Sequence, residues 1–129
     1  MKAPEVLLSW GELIDKITIL EIKSGRLKNP AALANVNKEL KLLAVHADIA
    51  MHSAAEIPAL KERLSQVNQA LWDIEDEIRA KEARREFDAE FIELARSVYK
   101  RNDERAAIKR QINTALSSDL VEEKSYHPY

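Results

Sequence analysis

The residues of this 129-residue chain best equipped for chemistry lie in its second half: Asn68, Trp72 and Glu75, then Arg96, Tyr99, Asn102 and Arg105. From Phe91 the apolar positions recur at spacings of three and four through Ala95 and Val98. Asn102, Arg105 and Lys109 then take the places of apolar residues before Ile112 and Leu116 resume the pattern. With a helix-helix turn centred near residue 87, antiparallel pairing sets Asn102 opposite Trp72, Arg105 opposite Gln69 and Tyr99 opposite Glu75, with Asn68 one turn away. The result is a polar patch inside an apolar seam. A guanidinium buried without a partner is expensive, so Arg105 must be paired, hydrated or turned toward a ligand. Its planar fork beside amides and an indole suits a carboxylate or phosphate. One reading of the patch is a self-satisfied buried network, which is the favoured one. The other is a pocket for a small anionic molecule such as a nucleotide sugar or carboxylate, with Arg105 and Arg96 clamping the anion and Tyr99 or Glu75 handling a proton.

Other chemistries find no residues to carry them. The chain has no cysteine, which removes disulfides, thiolate nucleophiles and Cys-containing metal sites together. Two glycines cannot build a dinucleotide or phosphate-binding loop, and neither G-x-S-x-G nor H-E-x-x-H occurs. A di-metal carboxylate site in a helical bundle needs Glu-x-x-His pairs, and none of His46, His52 and His127 follows a glutamate by three. Asp48 and His52 share a helix face, where the acid supports a protonated imidazole. No catalytic residue, metal or cofactor is therefore assigned, and the balance leans away from an enzyme.

Twenty Lys and Arg oppose twenty-two Asp and Glu, so no net field draws the chain to nucleic acid or anionic lipid. The apolar run before Trp10 is too short for a secretory signal, and nothing approaches the ~18 apolar residues of a membrane span. A cytoplasmic protein without membrane insertion is expected. The charges are segregated along the chain: Asp73, Glu75, Asp76 and Glu77 would face Arg96, Lys100, Arg101 and Arg105 across the turn. Cross-helix ion pairs that fix the register are the plain expectation.

These side chains need helices to hold them. Two glycines and four prolines among many charged and aliphatic residues specify an all-α fold. The pattern predicts an antiparallel bundle of about four long helices joined by short turns. They form one domain, with a short lead over residues 1–8 and a non-helical tail over about 119–129. Ser9 and Glu12 form an S-x-x-E capping box, with Leu8 and Leu13 as staple residues. Trp10, Leu13, Ile17, Leu20 and Leu27 then form a stripe that Ile14, Ile19 and Ile22 widen beyond what one neighbour can cover. Asn29-Pro30 opens a second helix through Leu33, Val36, Leu40, Leu43, Ala47 and Ala50, flanked by Leu42, Val45 and Ile49. It frays between Met51 and Glu56. Pro58 opens the third helix, with Ile57 pushed out of the α region, and the regular seam Leu60, Leu64, Val67, Leu71, Ile74, Ile78 follows. A turn over residues 84–88 leads to Asp88 as cap of the fourth. Trp10 and Trp72 are expected in the core, and some of the apolar surface of the first two helices is expected to be buried against a second copy.

Three stretches, Gly11 to Lys23, Leu71 to Arg79 and Leu94 to Ala106, together with Val121-Glu122-Glu123-Lys124-Ser125-Tyr126, give the chain a likeness that spans nearly its whole length. It resembles an uncharacterised bacterial all-helical family. The resemblance implies a small accessory protein that accompanies, or is fused to, glycosyltransferase-like proteins of surface-polysaccharide pathways. It implies no catalytic residues. The charged and polar positions it singles out are Asp15, Lys16, Arg96, Tyr99, Asn102 and Arg105. The resulting expectation is a non-enzymatic helical interaction module, its partner itself or another protein.

Overall fold

The computed structural model describes residues 1–129 and is all-helical, a four-helix bundle of α1 (Trp10–Arg26), α2 (Pro30–Met51), α3 (Ile57–Ala83) and α4 (Ala89–Ala115). No helix is long and apolar enough to cross a membrane. Three side-chain caps start helices where the sequence places them. Ser9 accepts from the Glu12 N–H at 3.1 Å, Asn29 from that of Ala32 at 3.0 Å and Asp88 from that of Phe91 at 2.9 Å. The capping box is only half made, because the Glu12 carboxylate turns to Lys109 of α4 instead of back to Ser9. Leu8, the expected staple residue, is 44% exposed. The third helix begins one residue earlier than expected. Ile57 is its first residue and is wholly buried, with Pro58 behind it. Proline costs nothing there, since the first four N–H groups of a helix have no intrahelical acceptor.

The turn between α3 and α4 closes with the Glu86 N–H on the Lys81 carbonyl at 2.9 Å and the Arg85 N–H on that of Glu82 at 3.0 Å. This double bond pattern requires a left-handed residue after the helix, usually glycine, and here Arg85 fills it at φ 54°. Arg85→Gly should therefore raise stability by about 1 kcal/mol, the steric cost of a side chain in that region. Urea unfolding with an unchanged slope is the check; a lower midpoint would mean that the arginine side chain holds the turn.

The core gathers Ile14 and Ile17 of α1, Ala47 and Ala50 of α2, Ile57, Leu60, Leu64 and Val67 of α3, and Ile108 and Ile112 of α4. As the width of its stripe requires, α1 packs on all three other helices. The remaining contacts are uneven: α3 and α4 pair most extensively, while α2 lies on α1, grazes α3 and does not meet α4. Toward the α3–α4 turn, Ile74, Ile78, Phe91, Leu94 and Ala95 are only half-buried, because two helices alone can cover just one side of each other.

The expected ion pairs across α3 and α4 do not form. Asp73 pairs with Arg26 of α1 and Glu75 with Arg79 in its own helix, while Arg96 and Arg101 take Glu93 and Glu104. Three of these four find the partner one turn away in their own helix, which on an exposed face is the nearest, while Asp73 reaches across to α1. The hairpin is tied instead by Lys81, whose buried ammonium lies 3.0 Å from Asp88 and 3.4 Å from Glu90. After α4 the chain lies back along it without regular structure. Glu123 meets Arg110 at 2.9 Å, and the Tyr129 ring rests on Tyr99 with its hydroxyl on Asp103.

Candidate functional site

Along α1, Gly11, Asp15, Thr18 and Ile22 recur at spacings of four, three and four, and all four are buried. The first three of this stripe, small or polar, face α3 and α4. Asp15 is 1% exposed, and α4 answers it with Arg105. The guanidinium donates from Nε to Oδ1 at 2.9 Å and from Nη2 to Oδ2 at 2.5 Å, a bidentate fork. Asn68 of α3 donates from Nδ2 both to Asp15 Oδ1 and to Thr18 Oγ1, each at 2.9 Å. One turn along α4, Lys109 sets its ammonium 2.8 Å from Glu12, 2.7 Å from Glu122 of the tail and 3.9 Å from Asp15. Another turn on, Asn113 accepts from the Gly11 N–H at 2.7 Å and so caps α1 from a neighbouring helix.

Every buried side-chain nitrogen and oxygen has a partner. A charged cluster of this kind is stable only when complete, since each ion has lost its water. The ionisations agree. The hydrogen bonds that Arg105 donates to Asp15 outweigh burial and hold its pKa above the usual value. Burial is the largest single influence on Lys109 and works against its charge, but hydrogen bonds to Glu12 and Glu122 together with the charge of Asp15 outweigh it and raise the pKa. The Lys109 hydrogen bond lowers that of Glu122. All three shifts move away from neutrality, so none of these groups is tuned to trade a proton near pH 7.

Beside this cluster a cleft of about 500 Å³ opens between α1, α3 and α4. It brings together Asn68, Trp72, Glu75, Asn102 and Arg105 from the sequence-predicted set, over apolar flanks of Ile19, Ile22 and Val98. Trp72 is half-buried, not a core residue, and the Arg26 guanidinium lies 5.9 Å from its ring centroid. Glu75 is engaged by Arg79 at 3.0 Å, whereas the Asn102 side chain makes no hydrogen bond within the chain. Arg96 and Tyr99 stand outside the cleft, the first on Glu93 and the second against Tyr129. Lys16 faces the opposite way, 3.0 Å from Glu39 of α2, and Gln69 bonds Ser65 rather than Arg105. Trp10 is half-buried against the core. His52 takes the backbone carbonyl of Asp48, not its carboxylate.

Glu12, Lys109, Asn113 and Glu122 belong to the cluster without having been singled out as site residues. The signal that points to them is the Gly11-Asp15-Thr18 stripe: small and polar residues at helical spacing mark a close approach of two backbones. As for its chemistry, the cluster neutralises its own cations, and the cleft rim adds the acids Glu75 and Asp76 to Arg79. No unpaired cation is left there to clamp an anion.

No curated protein and no solved structure matches the chain. A family model does match, over residues 4–128, and on that match the chain belongs to DUF6165, a family of unknown function.

Proposed function

We propose that this protein is a non-enzymatic helical interaction module, a cytoplasmic accessory in a bacterial cell whose partner binds a helix face. The supporting observation is the two-sided character of α2. Its inner seam of Val36, Leu40, Leu43, Ala47 and Ala50 packs into the bundle, while Leu42, Val45 and Ile49 on the opposite face are 65%, 63% and 55% exposed. Apolar residues in a three-four row on a solvent face mark an interaction surface. The self-neutralised cluster supports the same reading, because it supplies rigidity and no reactive group. Service to a glycosyltransferase-like enzyme of surface-polysaccharide synthesis rests on the resemblance of the helix motifs to that bacterial family.

The cleft supports a second reading, as a site for a small molecule, carried by the free Asn102 amide and the accessible Trp72 indole. Thermal melting against nucleotides, nucleotide sugars, sugar phosphates and small carboxylates separates the two. The interaction reading expects no shift. A ligand held at ~100 times its dissociation constant adds about 2.7 kcal/mol, which moves the midpoint by several degrees. A shift of that size that disappears in Asn102→Ala would establish the cleft as a site and overturn the module. Asn102 is the right probe because its loss leaves the Asp15–Arg105 pair intact. Affinity capture with the full chain as bait is the positive arm: the module expects a captured protein that Val45→Glu no longer retains.

A further inference from the structure

The exposed seam of α2 has the pattern of a helix made to meet its own copy. Continued in both directions at spacings of three and four it reads Asn35, Lys38, Leu42, Val45, Ile49 and His52, with the apolar residues in the middle and polar ones at the ends. It sits two residues out of phase with the buried seam, hence about 200° around the helix axis. The bundle therefore cannot cover both. Beside the exposed seam lie Lys41 and Asp48, seven residues apart and thus two turns along the same side. Lys38, Lys41 and Asp48 are exposed and form no ion pair within the chain, unlike most charges of the neighbouring helices.

We infer that α2 binds a second copy of this chain, antiparallel, through Leu42, Val45 and Ile49, with Lys41 of each copy beside Asp48 of the other. The orientation follows from charge. A parallel pair would set Lys38 of the seam on its own copy and leave the flank of Lys41 and Asp48 on opposite edges of the interface, whereas an antiparallel two-fold near the middle of the seam brings the two flanks together and sets Lys41 beside Asp48 twice by symmetry. The inference rests on the interaction reading and names its partner. Three apolar residues per copy make a small interface, so the dimer is weak and depends on concentration.

Sedimentation of the full chain over a wide concentration range should show a species of twice the 14.7 kDa protomer. Val45→Glu should remove it without lowering the melting temperature, because Val45 is exposed in the monomer. Lys41→Glu should weaken the dimer several-fold, and Lys41→Glu combined with Asp48→Lys should restore it, since the swapped charges meet again across the two-fold. The absence of cysteine allows a geometric test under mild oxidation. Val45→Cys lies near the two-fold and should cross-link. Asn35→Cys lies ten residues away from it, about 30 Å from its mate in an antiparallel pair, and should not. Cross-linking through Asn35→Cys would overturn the antiparallel arrangement, and a dimer that survives Val45→Glu would overturn the surface. A chain that is monomeric throughout, yet captures another protein through the same seam, would overturn the second copy and leave the interaction reading standing. A cleft ligand of the kind described above would defeat that reading instead.

Discussion

Replacing Arg105 by alanine is expected to cost about 3 kcal/mol and to lower the melting midpoint by roughly 10 °C. The reason is what stays behind. Asp15 is 1% exposed, and without the guanidinium its carboxylate keeps only Asn68 and the Lys109 ammonium at 3.9 Å. Asp15→Asn should do less harm, about 1 to 2 kcal/mol. In that variant the Arg105 side chain, already 28% exposed, can swing to water, and Lys109 keeps Glu12 and Glu122. Calorimetry or denaturant unfolding of the two variants decides the matter. A wild-type melting curve for Arg105→Ala would show that the cluster does not hold the helices together. A gain in stability would mark Arg105 as a strained ligand clamp.

Gly11→Ala should be of comparable size, and for a different reason. A Cβ at Gly11 would run into the Lys109 carbonyl oxygen, with the carbonyl carbon at 3.0 Å and Asn113 Oδ1 at 3.1 Å. The obstacle is the backbone of α4, which cannot rotate away as a side chain would. Helix α1 must back off and lose the Gly11 N–H bond to Asn113, for a total of about 3 kcal/mol. The same substitution at the other end of α1 has the opposite sign. Gly25 meets nothing within 4 Å, so Gly25→Ala only gains helix propensity, about 0.5 to 1 kcal/mol. Parallel denaturation curves with a common slope test the contrast. Equal effects at the two glycines would mean that α1 and α4 are not in close backbone contact.

The elements were legible because their causes are local. Ser9, Asn29-Pro30 and Asp88 cap the next residues in the chain, and the three-four seams need no knowledge of what they touch. The polar interruption of α4 was equally plain, since Asn102, Arg105 and Lys109 stand where a seam wants aliphatic residues. Its partner was not. Periodicity within α3 and α4 pointed Arg105 across their hairpin to Gln69, but the bidentate acceptor sits in α1, ninety residues away in sequence. Which helix packs on which is decided by where backbones can come close. Gly11 and Thr18 make that place, on a stripe that also carries Asp15. The segregated charges of α3 and α4 misled too, because Glu75, Arg96 and Arg101 find partners within their own helices and Asp73 finds Arg26 of α1. Glu12 matched a local capping motif, and that match hid its long-range partner Lys109.

The bonds of the buried cluster join residues far apart in the chain: 90 positions for Asp15 and Arg105, 97 for Glu12 and Lys109, and 102 for Gly11 and Asn113. The α3–α4 hairpin, by contrast, closes over a five-residue turn. Loop-closure entropy therefore favours forming the hairpin early and docking the first helix late, after most of the chain is in place. Interactions formed after the transition state slow unfolding without speeding folding. On that order the Asp15–Arg105 fork acts as a latch on the folded state, and its strength sets how long the assembled protein lasts rather than how quickly it assembles.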